Sequence, residues 1–265
     1  MKLVKFADFG ATLETRPEGY SIRRFNGKVL GVLPTCPDPA SFDIESYTKA
    51  PMPIWAASHS INTLLKFDHD SAQLMRDRDL SEAGRSKRMG PIRDEAVKTM
   101  SAVYEQFGKH KGAMLNQEIH RYAVPALDRT DVVGYLRDRE TRDAIRGMGN
   151  DALKQITGNS EFILSVLRSP IPLQPHLAEF AKANWRDMID VRDPVGRATL
   201  NHENVAIDWA ERILGTVRGT LTVDLGFSPQ ELLEKTSALN AAANWGFGTD
   251  AITHADRQRE YRAIA

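Results

Sequence analysis

After residue 50, apolar residues recur at three-to-four spacing through most of the chain, which is the periodicity of one buried helix face. The clearest stripes are, in chain order, Ile54, Ile61, Leu64, Leu65 and Met75; Ile92, Ala96, Met100, Val103 and Phe107; Leu177, Phe180, Ala181, Trp185 and Met188; and Val205, Trp209, Ile213 and Val217. Helices that bury such stripes against one another form multi-helix bodies. The sequence therefore predicts a mainly α protein with a helical body over residues 50–265. Leu64, Phe107, Val166, Trp185 and Trp209 are predicted to be buried in it.

Glycine and proline residues predict where these helices begin and end. Gly84 and the Gly90-Pro91 pair interrupt the pattern, so a helix is expected to begin at Pro91 and to end near Gly108 or Gly112. The segment TLTVDLGF, residues 220–227, is predicted as a short strand or an extended connection. Further helices are expected after Asp131, over 151–156, over 161–167, over 228–243 and over 250–261.

Residues 1–49 differ from the rest of the chain in their strand and turn signals, and we interpret them as an N-terminal arm. Asn26-Gly27 favours a type I′ turn, so residues 20–25 are predicted to pair with residues 28–32 as a β-hairpin. An isolated hairpin is marginal in water and needs a surface to dock on. The sequence leaves open whether a neighbouring subunit or the chain's own helical body supplies that surface. The residues predicted to bind a partner are Leu3, Phe6, Phe9, Ile22, Phe25, Val29 and Leu30.

The charge balance argues against a protein that binds nucleic acid or membranes through its overall charge. Lysine plus arginine equals aspartate plus glutamate at 35 each, so the net charge is zero. A neutral chain has no global field to hold DNA, RNA or an anionic membrane. A local basic cluster remains as a candidate phosphate contact, for which a solvated helix end is the alternative. The cluster is Arg85, Lys87, Arg88 and Arg93.

Cysteine content and hydropathy predict the compartment. Cys36 is the one cysteine, so no disulfide forms within the chain, as expected for folding in a reducing cytoplasm. The first residues lack the apolar run of a signal peptide, and no stretch approaches the length of a membrane span. We therefore expect a protein made in the cytoplasm, without membrane contacts.

The familiar catalytic and cofactor motifs are missing from the sequence. Neither GxGxxG nor GxxxxGK[ST] occurs, and no GxSxG elbow exists. His202-Glu203 begins like a zinc motif, but Ala206 stands where its second histidine is required. Asp68-His69-Asp70 is the densest potential ligand set, yet adjacent helical residues point in different directions. The sequence therefore predicts no enzyme activity, no cofactor and no metal.

Two segments resemble a group of uncharacterised helical proteins encoded among the structural genes of alphaproteobacterial phages and prophages. The longer segment, residues 137–173, has a charged helix ending near Arg146 and Met148, a Gly-Asn break, an apolar helix and a stop at Ser169-Pro170. Residues 76–88, RDRDLSEAGRSKR, form the second segment, and the helix from Phe180 to Met188 is similar as well.

The resemblance implies a non-enzymatic structural or assembly component of a bacteriophage particle, in the head or neck region. Its partners would be copies of itself and other virion proteins, and it would be found in the virion and, during assembly, in the host cytoplasm. Head decoration, connector, tail and internal protein stay open as alternatives. A soluble helical binding or regulatory module made during infection is the second hypothesis, and an enzyme with a dispersed site is the third.

Overall fold

A computed structural model describes residues 7–16, 19–33, 51–148, 151–169, 174–226 and 234. Within these residues the chain is mainly α, with a small antiparallel sheet near the N-terminus, so the predicted fold class is confirmed. Apart from Glu234, the helices predicted over 228–243 and 250–261 lie outside the described residues. No described helix is both long enough and apolar enough to cross a membrane.

Three strands and seven helices make up the described part of the chain. They are β1 (Thr12–Arg16), β2 (Gly19–Arg23), β3 (Val29–Leu33), α1 (Met52–Arg76), α2 (Glu82–Arg121), α3 (Val132–Gly147), α4 (Ala152–Ile156), α5 (Ser160–Leu167), α6 (Pro175–Arg192) and α7 (Pro194–Leu225). A single 3-10 turn, Ala7–Phe9, precedes β1.

The chain divides into two compact units. Unit 1 comprises Met1–Ala113 and His202–Thr253, and unit 2 comprises Met114–Asn201 and His254–Ala265. This division into two units differs from the predicted one, which has an arm over 1–49 and one body over 50–265. In the structure the sheet and α1 belong to the same unit. The difference arises because helix periodicity identifies helices but not the helices against which each of them packs.

Helix α2 runs unbroken for 40 residues, with Pro91 inside it. The prediction that a helix begins at Pro91 and ends near Gly108 or Gly112 is therefore wrong. A proline removes one helical hydrogen bond and each glycine costs about 1 kcal/mol relative to alanine. Burial of the stripe that includes Met100 and Phe107 offsets these local costs.

Helix α7 continues through Leu225, so the prediction of a strand or extended connection over 220–227 is also wrong for its described part. Threonine and valine favour strands, so the local composition of this segment predicts a strand. Val217, Leu221 and Leu225 are spaced by four residues and are all fully buried, so packing favours the helix. Gly226, with φ 69°, takes the left-handed conformation that commonly ends a helix.

The sheet has the order β1-β2-β3, and both pairs are antiparallel. Pairing of β2 with β3 confirms the predicted hairpin, whereas β1 was not predicted. The loop differs from the expected two-residue turn. The Arg24 N–H donates to the Lys28 carbonyl and the Gly27 N–H to the Arg24 carbonyl, each at 2.9 Å, which closes a three-residue loop. Gly27, with φ 79°, supplies the left-handed residue that such loops require.

Each unit has its own core, and all five residues predicted to be buried are buried. In unit 1, the Tyr104 hydroxyl on α2 donates to the Leu214 carbonyl on α7 at 3.0 Å. In unit 2, Ile145 of α3 packs with Ile156, Val166 and Trp185 from the following helices. Val205 departs from its predicted stripe, since it is 50% exposed.

Candidate functional site

The β2-β3 hairpin docks on the chain's own helices in unit 1. Ile22 and Leu30 are 1% and 0% exposed. Arg76 of α1 lies over the Phe25 ring, with the guanidinium carbon 4.8 Å from the ring centroid. The prediction that Ile22 and Leu30 bind a partner is therefore corrected, because they are already buried within the chain. Of the other predicted contacts, Phe9 and Phe25 are half-buried, Val29 is exposed, and Leu3 and Phe6 lie outside the described residues.

A buried charge cluster holds this hairpin in place. The Arg24 guanidinium donates to both carboxylate oxygens of Asp68 on α1, and to Asp224 near the end of α7 at 2.5 Å. Lys28 Nζ contacts the other Asp224 oxygen at 2.9 Å, and Asn26 Nδ2 donates to Asp68 at 3.3 Å. Two cations thus meet two carboxylates, and the loop is joined to two helices.

Burial and ion pairing act in opposite directions on the pKa values of this cluster. The side chains of Arg24 and Asp68 are 1% and 2% exposed. Burial opposes the charge of Arg24, but its hydrogen bonds and ion pairs with Asp68 and Asp224 outweigh that effect and raise its pKa. Burial raises the pKa of Asp68 against the opposing hydrogen bond from Arg24. The cluster fixes the sheet on the helices, which is a structural role.

The three residues of the Asp68-His69-Asp70 set face different surroundings. Asp68 is bound to Arg24, whereas the His69 ring contacts Phe25 at 5.3 Å between centroids. Asp70 instead lines a groove between α1 and α2. No group of three or more histidine, cysteine, aspartate or glutamate side chains is placed to hold a metal ion within the part of the chain that the structure describes.

That groove is a cavity of about 510 Å³ within unit 1. Phe9, Phe67 and Ile92 supply apolar walls, and His59, Lys66, Asp70 and Glu95 supply polar groups. The His59 ring packs against Trp55 with centroids 4.4 Å apart, and burial lowers the His59 pKa. The imidazole is therefore neutral at pH 7. The groove has the size of a small-molecule pocket and carries polar groups of both signs.

The predicted basic cluster lies along the first turns of α2. Lys87 and Arg88 are exposed, and Arg93 is half-buried. Arg85 donates from Nε and Nη2 to the Leu80 carbonyl, at 3.1 and 2.9 Å. Residues two apart on a helix face different directions, so Lys87 does not converge with Arg85. The phosphate contact stays a prediction.

The first turn of α3, in the helix predicted after Asp131, exposes an apolar surface. Val132, Val133, Tyr135 and Leu136 are between 46% and 67% exposed. We call these four residues the α3 apolar face. The side of α3 that packs into unit 2 instead carries Asp138 and Ile145. Asp138 is satisfied there by the Ser165 hydroxyl, which donates to it at 2.8 Å.

One signal in the sequence could have revealed this face. The four apolar residues occupy close to half of the helix circumference within about one turn, and no later turn of α3 continues so broad an apolar surface, as a face packed along its length within the chain would. Clustered apolar surface of this kind marks interaction sites on soluble proteins. The α3 apolar face is therefore the best candidate for a functional surface among the described residues.

Comparisons with protein-family models, with curated proteins and with solved structures find no match to this chain. Fold and surface together define a mainly α protein with a candidate protein-binding face on α3. The resemblance to phage-encoded proteins stays a prediction.

Proposed function

We propose that this chain is a non-enzymatic structural or assembly component of a bacteriophage particle, in the head or neck region, that acts through protein–protein contacts. The observation that carries the proposal is the α3 apolar face. Four large apolar side chains exposed on one turn lose contact with water when a protein partner covers them, and that burial favours association. In this proposal the chain resides in the virion, and in the host cytoplasm during assembly.

The resemblance supports the same proposal. Its longer segment contains α3 from residue 137 onward, together with α4 and α5, and its apolar residues Ile145 and Val166 lie in the core of unit 2. The resemblance therefore covers residues that form the core of unit 2, and unit 2 is the unit that carries the α3 apolar face. The docked hairpin offers no separate support, because Ile22 and Leu30 are buried within the chain.

Mass spectrometry of purified virions tests the proposal. We expect peptides of this chain in particles that have been purified free of a host cytoplasmic marker protein. Leu136→Asp should reduce incorporation, because it places a charge on the α3 apolar face. Val191→Asp is the matched control, since Val191 is also exposed in unit 2 but lies on α6. A chain that is abundant in the infected cell and missing from particles would refute the proposal.

The groove between α1 and α2 favours the second hypothesis, a soluble binding or regulatory module made during infection. Its lining combines an apolar wall with His59, Lys66 and Glu95, as in many ligand pockets. Under this alternative the protein is not part of the particle. The substitution Ile92→Trp fills the groove, and it should abolish the effect that the protein has on infection. Under the virion proposal the same substitution leaves incorporation unchanged.

A further inference from the structure

We propose that the groove between α1 and α2 binds a zwitterionic aromatic amino acid, of which L-phenylalanine is the simplest. This inference goes beyond the proposed function and does not depend on it, because the groove lies in unit 1 and the α3 apolar face lies in unit 2. It assigns a class of ligand to a site that the virion proposal does not use.

The two helices that form the groove run antiparallel. Five residues, 77–81, join α1 to α2, and so short a connection makes packed helices antiparallel. The Ser71 hydroxyl contacts the Met89 sulfur at 3.7 Å, which fixes the register of the two helices. Lys66 precedes Ser71 by five residues and Glu95 follows Met89 by six. Lys66 and Glu95 therefore lie at nearly the same height on opposite sides of the groove.

The charged side chains that line the groove have no partner within the chain. They are Lys66 and Asp70, one turn apart on α1, and Glu95 on α2. None of the three forms an ion pair or a side-chain hydrogen bond with any residue that the structure describes. His59 adds no charge at pH 7, because burial lowers its pKa. The groove thus offers one cation and two carboxylates to a ligand.

Most of the remaining lining is apolar. Phe9 and Phe67 contribute aromatic rings, and Pro91, Ile92 and Ala96 contribute aliphatic surface. Aromatic rings form offset or edge-to-face pairs that stabilise a complex beyond the area they bury. The volume of about 510 Å³ lies within the range of about 300–1,000 Å³ that is typical of small-molecule sites. An aromatic side chain therefore fits both the lining and the size of the groove.

The unpaired charges select the rest of the ligand. Lys66 repels a simple organic cation, and Asp70 and Glu95 repel a simple carboxylate. An α-amino acid carries a carboxylate and an ammonium group on one carbon. Its carboxylate binds Lys66 and its ammonium group binds the two acidic side chains, through charge-assisted hydrogen bonds. A zwitterion with an aromatic side chain is therefore complementary to the groove in charge and in apolar surface.

Titration of the full chain followed by NMR tests the class of ligand. We expect L-phenylalanine to shift the backbone amide signals of the lining residues in a saturable way. Phenethylamine lacks the carboxylate and 3-phenylpropionate lacks the ammonium group, so each should bind about three- to fivefold more weakly, which is the effect of one partly exposed ion pair. The absence of saturable shifts with L-phenylalanine would overturn the inference. Equal affinity for L-phenylalanine and phenethylamine would overturn it as well, since the site would then recognise a cation only.

Two substitutions test the charge contacts separately. Lys66→Met should weaken L-phenylalanine binding about three- to fivefold without weakening phenethylamine, which has no group for Lys66 to bind. Glu95→Gln should weaken phenethylamine but not 3-phenylpropionate. Lys98→Met is the matched control, because Lys98 is exposed on α2 and does not line the groove. Equal effects of Lys66→Met and Lys98→Met would contradict the assignment.

Filling the groove tests its location. Ile92→Trp should abolish binding of all three compounds, and its melting temperature by circular dichroism shows whether the variant is folded. Undiminished binding by a folded Ile92→Trp chain would place the ligand elsewhere and overturn the inference. Lys66→Met changes an exposed residue, so it provides the test if Ile92→Trp does not fold. Failure of binding leaves the virion proposal intact, because that proposal is tested by the incorporation of Leu136→Asp.

Discussion

Arg24 in the hairpin loop and Asp68 on α1, 44 residues apart in sequence, form a buried ion pair through two hydrogen bonds. The pair connects the sheet to the helices of unit 1, and Asp224 extends it to α7. A hairpin that is marginal alone thereby gains a surface from its own chain. The β2-β3 hairpin is consequently part of the folded unit.

Removing the charge of Asp68 should be costly. Asp68→Asn keeps the size of the side chain but leaves the buried Arg24 with one carboxylate partner. Breaking a buried ion pair costs about 3 to 5 kcal/mol when the remaining charge has no partner, so with Asp224 still bound to Arg24 we expect a loss below that range but well above about 0.5 kcal/mol. Urea unfolding measures this loss of stability. Asp70→Asn on the same helix is the matched control, and it should lower the free energy of unfolding by less than about 0.5 kcal/mol. Equal stabilities of the two variants would show that the cluster does not support the fold.

Deleting residues 1–33 should destabilise unit 1 instead of leaving it intact. The deletion removes Arg24 and Lys28, so Asp68 and Asp224 lose their cationic partners. It also removes the contacts of Phe25 with His69 and Arg76 on α1. We expect a lower melting temperature by circular dichroism. An unchanged melting temperature would indicate that the hairpin is a dispensable arm, available for contacts between subunits.

Asp193, between α6 and α7, should contribute to acid sensitivity. Its pKa is held below the ordinary value of 3.8 by the Gly196 N–H first and then by the Arg121 guanidinium. The folded state therefore binds this proton less well than the unfolded state, and the stability that Asp193 provides is lost as the pH falls below about 4. Asp193→Asn should lower stability at pH 7 and make its decline on acidification shallower.

Unfolding experiments at a series of pH values test this prediction, with Asp187→Asn on the exposed side of α6 as the control. The Asp193→Asn and wild-type stabilities should converge at low pH. Parallel curves over the whole range would contradict a role for Asp193 ionisation.

Trp209 should be a large contributor to the unit 1 core. It is 9% exposed, and Trp209→Ala is expected to cost about 3 to 5 kcal/mol, as for other buried aromatic residues. Val205→Ala, one turn earlier on α7, removes an exposed side chain and should cost less than about 0.5 kcal/mol. Chemical denaturation of both variants provides the comparison, and similar losses would place Trp209 outside the core.

Local rules in the sequence were sufficient for several elements. The Asp131 side chain accepts the Gly134 N–H at 2.8 Å at the start of α3, and Asn159 caps α5 in the same way. Asn26-Gly27 marked the hairpin correctly, although the loop has three residues. These signals succeed because they depend on neighbouring residues alone.

The sequence by itself determined that this chain is mainly helical, that a hairpin lies near its N-terminus, and that Trp185 and Trp209 are buried. Tertiary structure decided where two of the helices end and which segments contact one another, and helix periodicity contains neither kind of information. Helix α2 continues past Pro91 and α7 continues to Leu225, because the buried contacts of these helices outweigh the local propensities of their residues. Tertiary structure also pairs Arg24 with Asp68 and leaves the α3 apolar face exposed. Both depend on which distant segments meet, and spacing along one helix contains no information about its neighbours.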